Sequence, residues 1–318
     1  MSAPDAVELL DVGLLADQGA LREIDHWLGV FNWANGWHYD LDMIWILRNI
    51  AALGLPRGSV ILDAGAGLGM MQFILAARGY NVISLDFTQR RVPRFSRGIF
   101  RIELDDRPLA GYTHEYMQWM THGQRPAPRR SLWARLSGAA CRPGRTWHSL
   151  LQRARGICNV PYLLERRKPH DKFGTITFLR GTFNEIPRAT ESVDLLVSVS
   201  AFEHNTYQDM PASVKEFERV LKKGASMLIT TSAAEKEDWY FEPSKGWNFA
   251  PQTLRSWFGI PGSAPLPYQQ TLADIRGDVL LRSRLHPYYR HNGDNGLPFG
   301  RLEEAQYVPV GIRKSRRA

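Results

Sequence analysis

Two cysteines in 318 residues, Cys141 and Cys158, are too few for a disulfide framework or a four-ligand zinc site, and both are read as incidental. No run approaches about 18 uninterrupted apolar residues, so no membrane-spanning helix is expected. The opening MSAPDAVELLDVG is acidic and lacks the basic, then apolar, start of a secretory leader, which gives the expectation of a cytoplasmic protein. The histidines are scattered, with no HxxxH and no carboxylate cluster at ligand spacing, so no metal is expected. There is no internal repeat.

Apolar residues make up 44% of the chain, enough for a substantial core in one large domain with insertions or in two smaller ones. The formal charge of +8 is unevenly spread. Between Thr88 and Gly174, 16 Arg and 2 Lys face 6 acidic residues, a net of +12, which leaves −4 for the rest. A basic segment on a mildly acidic body points to a localised anionic partner rather than to nucleic acid along the whole surface.

The stretch Val60 to Asp86, VILDAGAGLGMMQFILAARGYNVISLD, reads as strand, glycine turn, helix and strand. Val60, Ile61 and Leu62 form a short apolar run suited to a buried parallel strand, and Gly65, Gly67 and Gly69 follow at once. The helix is expected from about Met70 to Arg78, with Gly79 placed to end it. Val82, Ile83 and Leu85 make a second strand that stops at Asp86. Backbone without Cβ at the carboxyl end of a first strand lets a cofactor lie close. An acid ending the second strand, 17 residues after Gly69, can take both ribose hydroxyls. The third position of a dinucleotide fingerprint is Met70, so the pattern is GxGxG and not GxGxxG.

LDAGAGLG followed by ISLD resembles motif I and the acidic strand end of the class I S-adenosylmethionine-dependent methyltransferases, of the kind called methyltransferase type 11. The resemblance implies an α/β fold: a Rossmann-like, seven-stranded, mostly parallel sheet with helices on both faces, plus insertions. It also implies S-adenosyl-L-methionine as cofactor. Asp63 and the backbone of Ala64, Gly65, Gly67 and Gly69 would hold its methionine part, Asp86 and Phe87 its ribose side, with Thr182, Phe183 and Ser200 completing the site. LRGTFNEIP, VDLLVSV and AFEHNTYQDMPASVKEFERVLKKGASMLITTS resemble the third to fifth strands with the helix between the last two. Thr182 stands where the family usually has an acid for the adenine amino group, a contact that the Phe183 backbone could supply. The chain thus divides into an N-terminal helical cap (1–57), a methyltransferase domain (58–87 and 175–318) and a basic insertion between the second and third strands (88–174).

The fourth strand is expected at Val193 to Val199 and the fifth around Met227 to Ile229, with Pro211 opening the helix between them and Gly224 ending it. Before Leu28, the apolar Val7, Leu10, Leu14 and Leu15 suggest a helical cap. Asp40 is expected to cap a helix carrying Met43, Ile46, Leu47 and Ile50, at whose start Trp37, His38 and Tyr39 either face the active site or pack the helix onto the sheet. Leu254, Trp257 and Phe258 suggest a late helix ended by Gly259, and Tyr307 to Ile312 a final strand in which Pro309 is awkward. His286, Tyr288, Tyr289 and His291 are candidates for a substrate pocket.

Methyl transfer needs the acceptor held in line, water excluded and, for a hydroxyl acceptor, a base. His204, just after the fourth strand, is the first candidate, with Glu203 to orient it; the alternative is that His204 only shapes the pocket. His38 is the third catalytic candidate. The Asn-Pro-Pro-aromatic motif of amino-directed nucleic-acid enzymes is absent, and no cysteine lies at a strand end to attack a pyrimidine. The expected substrate is therefore a small molecule or a sugar- or lipid-linked acceptor, methylated on oxygen. The alternatives are an RNA methyltransferase gripping RNA through its arginines and a non-catalytic cofactor-binding partner subunit. In the insertion, Leu132, Trp133 and Leu136 alternate with Arg129, Arg130 and Arg135, and Leu150, Leu151 and Ile157 with Arg153 and Arg155. Basic amphipathic pieces of this kind suit peripheral contact with the anionic inner face of a membrane, at about 1 kcal/mol per Arg, or phosphate groups on a substrate, or simply a solvated lid.

Overall fold

The computed structural model describes residues 4–67, 69–88, 92, 96–105, 159–242, 244–285, 297 and 300–317. The chain starts with strand β1 (Ala6–Leu9), then a short 3-10 turn and helices α1 (Gln18–Phe31) and α2 (Tyr39–Leu53). The first βαβ unit follows as β2 (Val60–Ala64), α3 (Met71–Ala77) and β3 (Asn81–Asp86). Next come β4 (Arg101–Asp105), α4 (Val160–Glu165), β5 (Thr175–Arg180), β6 (Val193–Val199), α5 (Met210–Val220) and β7 (Leu221–Ala233). The carboxyl-terminal part comprises β8 (Trp239–Phe241), β9 (Gly246–Phe249), α6 (Pro251–Phe258), α7 (Tyr268–Gly277), α8 (Val279–Arg284) and β10 (Val308–Ser315).

One sheet runs in the order β1-β10-β7-β6-β2-β3-β5-β4, with β9 beside the end of β7 and β8 beside β9. The six strands from β7 to β4 are parallel, and β10 is antiparallel to β7. The strands of this core read as near-continuous apolar runs because helices cover both faces. Connections β2-α3-β3 and β6-α5-β7 travel in opposite directions across the sheet. Right-handed crossovers therefore put α3 and α5 on opposite faces. The fold is the expected Rossmann-like α/β architecture, with ten strands among the described residues rather than seven.

The extra strands come from segments read otherwise in the sequence. Residues 6–9 are not helical: β1 pairs with β10, Val7 opposite Ile312, and closes that edge of the sheet. Within the insertion, β4 adds a parallel edge strand on β5, and Phe100 before it packs among Trp27, Phe31, Phe73 and Phe173. The far end of the insertion is tied to α1: Asn159 Nδ2 donates to the Val30 carbonyl, and Glu165 takes His26 and Lys168. The arginine-rich amphipathic pieces at 129–157 and both cysteines lie outside the described residues, as do His286, Tyr288, Tyr289 and His291.

Three local expectations are corrected. Asp40 does not cap α2; it lies in the first turn and accepts from Asn35 and Arg284. Gly224 does not end α5, which stops at Val220 and passes directly into β7; Gly224 sits inside that strand with φ +75°. Pro309 is tolerated in β10 because its carbonyl accepts from Leu10 N on the β1 side. A residue's nitrogen and carbonyl face the same neighbour, so the missing N–H points to where β1 stops at Leu9.

Candidate active site

The strand order reverses between β2 and β6, and the loops leaving their carboxyl ends diverge there, which opens a crevice in any sheet of this type. Gly65 to Gly69 leave β2 at that point, and Ser200 to His204 leave β6. Gly65 adopts φ +74° and Gly67 φ +49°, conformations that side chains resist. A Cβ on Gly65 would lie 2.4 Å from the Ala201 Cβ and 2.8 Å from the Phe183 ring, so the turn is pressed against the loops after β6 and β5. Its other side is open: Gly65 and Gly67 are half-exposed and Gly69 exposed. Asp86, at the end of β3, accepts Gly67 N through Oδ2 at 2.8 Å and Thr88 N and Oγ1 through Oδ1 at 2.8 and 2.6 Å. The carboxylate therefore stands against the turn, and Oδ2 retains a lone pair for another donor.

Next to the turn, beyond Ala201, lies a cavity that opens to solvent, about 440 Å³ when the open mouth is included. Its wall is built by Gly36 to Tyr39 at the start of α2, Ser200, Glu203 and His204 after β6, Ser232 on β7, Gly246 to Asn248 on β9, and Tyr307 before β10. Trp37, His38 and Tyr39 thus face the cavity and also pack the helix: Trp37 and His38 are buried. Glu203 is buried and accepts from Thr231 Oγ1 at 2.9 Å. Burial pushes its carboxyl above the usual range, against the lowering influence of His204 and the hydrogen bonds. His204 is not oriented by Glu203. Its Nδ1 is 2.9 Å from the Lys245 carbonyl, which only accepts, so Nδ1 carries the hydrogen and Nε2 is the acceptor of the neutral ring.

A second imidazole is held more tightly. His38 Nδ1 is 2.7 Å from Asp42 Oδ2, one helical turn on, and its Nε2 is 3.1 Å from the Tyr307 hydroxyl. Asp42 is fully buried; Oδ2 also accepts from Ser200 Oγ at 3.1 Å, while Oδ1 has no hydrogen-bond partner among the described residues. Ser200 reaches Asp42 from φ +43°, a left-handed conformation unusual for serine at a strand end. Burial, and then the charge of Glu203, pushes the Tyr307 hydroxyl well above the ordinary phenol range.

The fold therefore brings Glu203, His204, His38 and Ser200 to one cavity, and sets Asp63, Ala64, Gly65, Gly67, Gly69, Asp86, Phe87, Thr182 and Phe183 at or beside the carboxyl ends of β2, β3 and β5. The Ser200 hydroxyl donates to Asp42. Two residues of the cavity network were missed. Asp42 carried a signal, an acid four residues after His38 on an expected helix; Tyr307, 269 residues from His38, carried none. Among the described residues, no group of three or more His, Cys, Asp or Glu is placed to hold a metal ion, and no helix is long and apolar enough to cross a membrane.

Residues 138–229 match the methyltransferase domain family model called Methyltransf_11. The match covers β5 to most of β7 and ends before the last strands; the glycine turn lies outside it and joins it through the sheet. No curated protein matches the chain. Among solved structures, the chain is similar to a 1,6-didemethyltoxoflavin-N1-methyltransferase of Burkholderia thailandensis, at 12% identity and TM-score 0.41, over 100% of this chain and 98% of that one. It is also similar to phosphoethanolamine N-methyltransferase 2 of Haemonchus contortus, at 12% identity and TM-score 0.47, over 96% of this chain and 60% of that one. Residues 138–229 thus carry a methyltransferase domain match, on a Rossmann-like parallel sheet whose switch point holds a glycine turn facing a strand-end carboxylate.

Proposed function

We propose that this enzyme methylates a hydroxyl of a small polar acceptor bound in the cavity beside the glycine turn. The cavity itself carries the reading. It brings two imidazoles, a buried carboxyl and Tyr307 to the carboxyl end of β6, where a small polar acceptor or one end of a sugar- or lipid-linked one would meet them. When bound, S-adenosylmethionine supplies an electrophilic methyl group on a sulfonium centre. The residues present fit that group: the open side of the turn at Gly65, Gly67 and Gly69, with Asp63 and Ala64, would hold its methionine part. Asp86, with its remaining lone pair and with Phe87 beside it, would hold the ribose. The Phe183 backbone would take the adenine amino group in place of the acid that Thr182 replaces. Ser200 would contribute by its backbone only.

The chain's own tasks are then to seat the acceptor, exclude water and remove one proton. The aromatic walls of Trp37, Tyr39, Trp247 and Tyr307 exclude water, and either His204 Nε2 or the His38 assembly receives the proton. The test is transfer of labelled methyl groups by the full chain to a panel of phenols, sugars and lipid-linked alcohols, with bulk RNA as the competing acceptor. Labelling of hydroxyl compounds is expected, and labelling of RNA alone would overturn the reading. In calorimetry, Asp86→Ala is expected to weaken cofactor binding about 10-fold or more, the loss of charge-assisted hydrogen bonds. Unchanged affinity would remove Asp86 from the site.

A further inference from the structure

Two histidines face the cavity, but only one has a carboxylate bonded to it. A base buried beside its substrate becomes a cation when it takes a proton, and an uncompensated cation there is costly. The His204 ring is bonded to a neutral carbonyl of Lys245. The His38 ring is bonded to Asp42, a carboxylate in direct contact with the ring that can balance an imidazolium, its Oδ1 taking no donor among the described residues. Ser200 holds Oδ2 of the same carboxylate in place. On its other side, His38 Nε2 meets the phenol oxygen of Tyr307, which lines the cavity.

We propose that Tyr307, His38 and Asp42 form the proton exit of the methyl-transfer site: the acceptor's hydroxyl proton passes to Tyr307 Oη while the phenol passes its own to His38 Nε2, and Asp42 holds the resulting imidazolium. This rests on the reading of hydroxyl methylation in this cavity. The acceptor's O–H bond breaks and its oxygen forms the new bond to the methyl carbon. The electron pair of the old sulfur–methyl bond stays on sulfur, and the proton ends on His38. Nδ1 keeps its hydrogen toward Asp42 throughout. The relay explains why a phenol that burial keeps protonated can still serve: it never has to exist as an isolated phenolate. Tyr307 is then a catalytic residue, and Asp42 a positioning residue acting through His38. The ionisable groups facing His38 are Asp42 and Tyr39 from α2, Tyr307 from the segment before β10 and Glu203 from the turn after β6.

The test uses the full chain with nitrogen-labelled histidine and S-adenosylhomocysteine added, the His38 signals being assigned by their loss in His38→Asn. Magnetic resonance is expected to show the His38 hydrogen on Nδ1 and Nε2 accepting a hydrogen bond. Tyr307→Phe should move the Nε2 signal to that of an unbonded imine nitrogen, and Asp42→Asn should shift hydrogen from Nδ1 to Nε2. A wild-type spectrum with bare Nδ1, or an Nε2 signal unmoved by Tyr307→Phe, overturns the relay. On any hydroxyl compound that the panel shows to be methylated, Tyr307→Phe should lower kcat about 10²-fold with cofactor affinity retained. An unchanged kcat also overturns it. The spectroscopic arm needs no acceptor, so a panel without labelling counts against the functional reading and leaves the relay to be judged on its own.

Discussion

Glu203 is the residue whose chemistry depends most on its surroundings. In the unfolded chain its carboxyl ionises near 4.5; in the fold, burial holds the proton to higher pH. Between those two values the folded chain binds the extra proton, so the stability contributed by this group falls as pH rises from about 4.5. Glu203→Gln keeps an acceptor for Thr231 and removes the ionisation. The variant is expected to melt about 2 °C or more above wild type at neutral pH, the advantage shrinking to nothing below the ordinary glutamate range. Melts followed by circular dichroism from acid to neutral pH check this, and a constant difference would show that burial does not hold the proton. The same residue scale explains a misread pairing. Adjacent positions in sequence suggested that Glu203 orients His204, but consecutive residues of a 3-10 turn point apart, and Thr231 on β7 and Lys245 in the turn before β9 supply the partners.

The two halves of the proposed relay sit at the start of helix α2 and just before strand β10, and the contact of those elements decides whether the halves meet. Gly311, in the middle of β10, lies under the Trp45 indole; a Cβ there would come within 2.6 Å of two ring atoms. Trp45 is held from above as well, its Nε1 donating to Glu8 on β1 at 2.6 Å. Close approach without a side chain thus sets the height of α2 above the sheet, and with it the distance from His38 to Tyr307. Gly311→Val is expected to cost about 1–3 kcal/mol by overpacking, measurable as a lower urea midpoint, and to weaken the His38–Tyr307 hydrogen bond in the same magnetic resonance experiment. A stable variant with the hydrogen bond intact would show that α2 is positioned by something else. Element boundaries inside the first βαβ unit were legible to within a residue, because a buried apolar run, a glycine cluster and an acid each have one local meaning. The mixed apolar pattern of residues 6–15 had several, and pairing with β10 selected the strand.

At the scale of the whole molecule, β1 closes the sheet. β1 covers the outer side of β10, Asp5 pairs with the buried Lys314 at 2.9 Å, and Glu8 fastens Trp45. Deleting residues 1–10 should leave an open interior-type edge and an unpaired buried lysine. Self-association on gel filtration and a lower melting temperature are expected, and a monomer of unchanged stability would contradict the closing role. What the sequence by itself determined is local: the βαβ unit, its glycine turn and terminal Asp86, the apolar fourth strand, and the concentration of positive charge between Thr88 and Gly174. These are set by spacing along the chain, where backbone conformation and hydrophobic period act directly. Tertiary structure decided the rest: that His38 meets Tyr307 across 269 residues, that Ser200 serves Asp42, and that an N-terminal segment ends as the eighth strand along the sheet. Such partners are chosen by which surfaces become buried together, and burial is a property of the assembled fold rather than of any stretch of it.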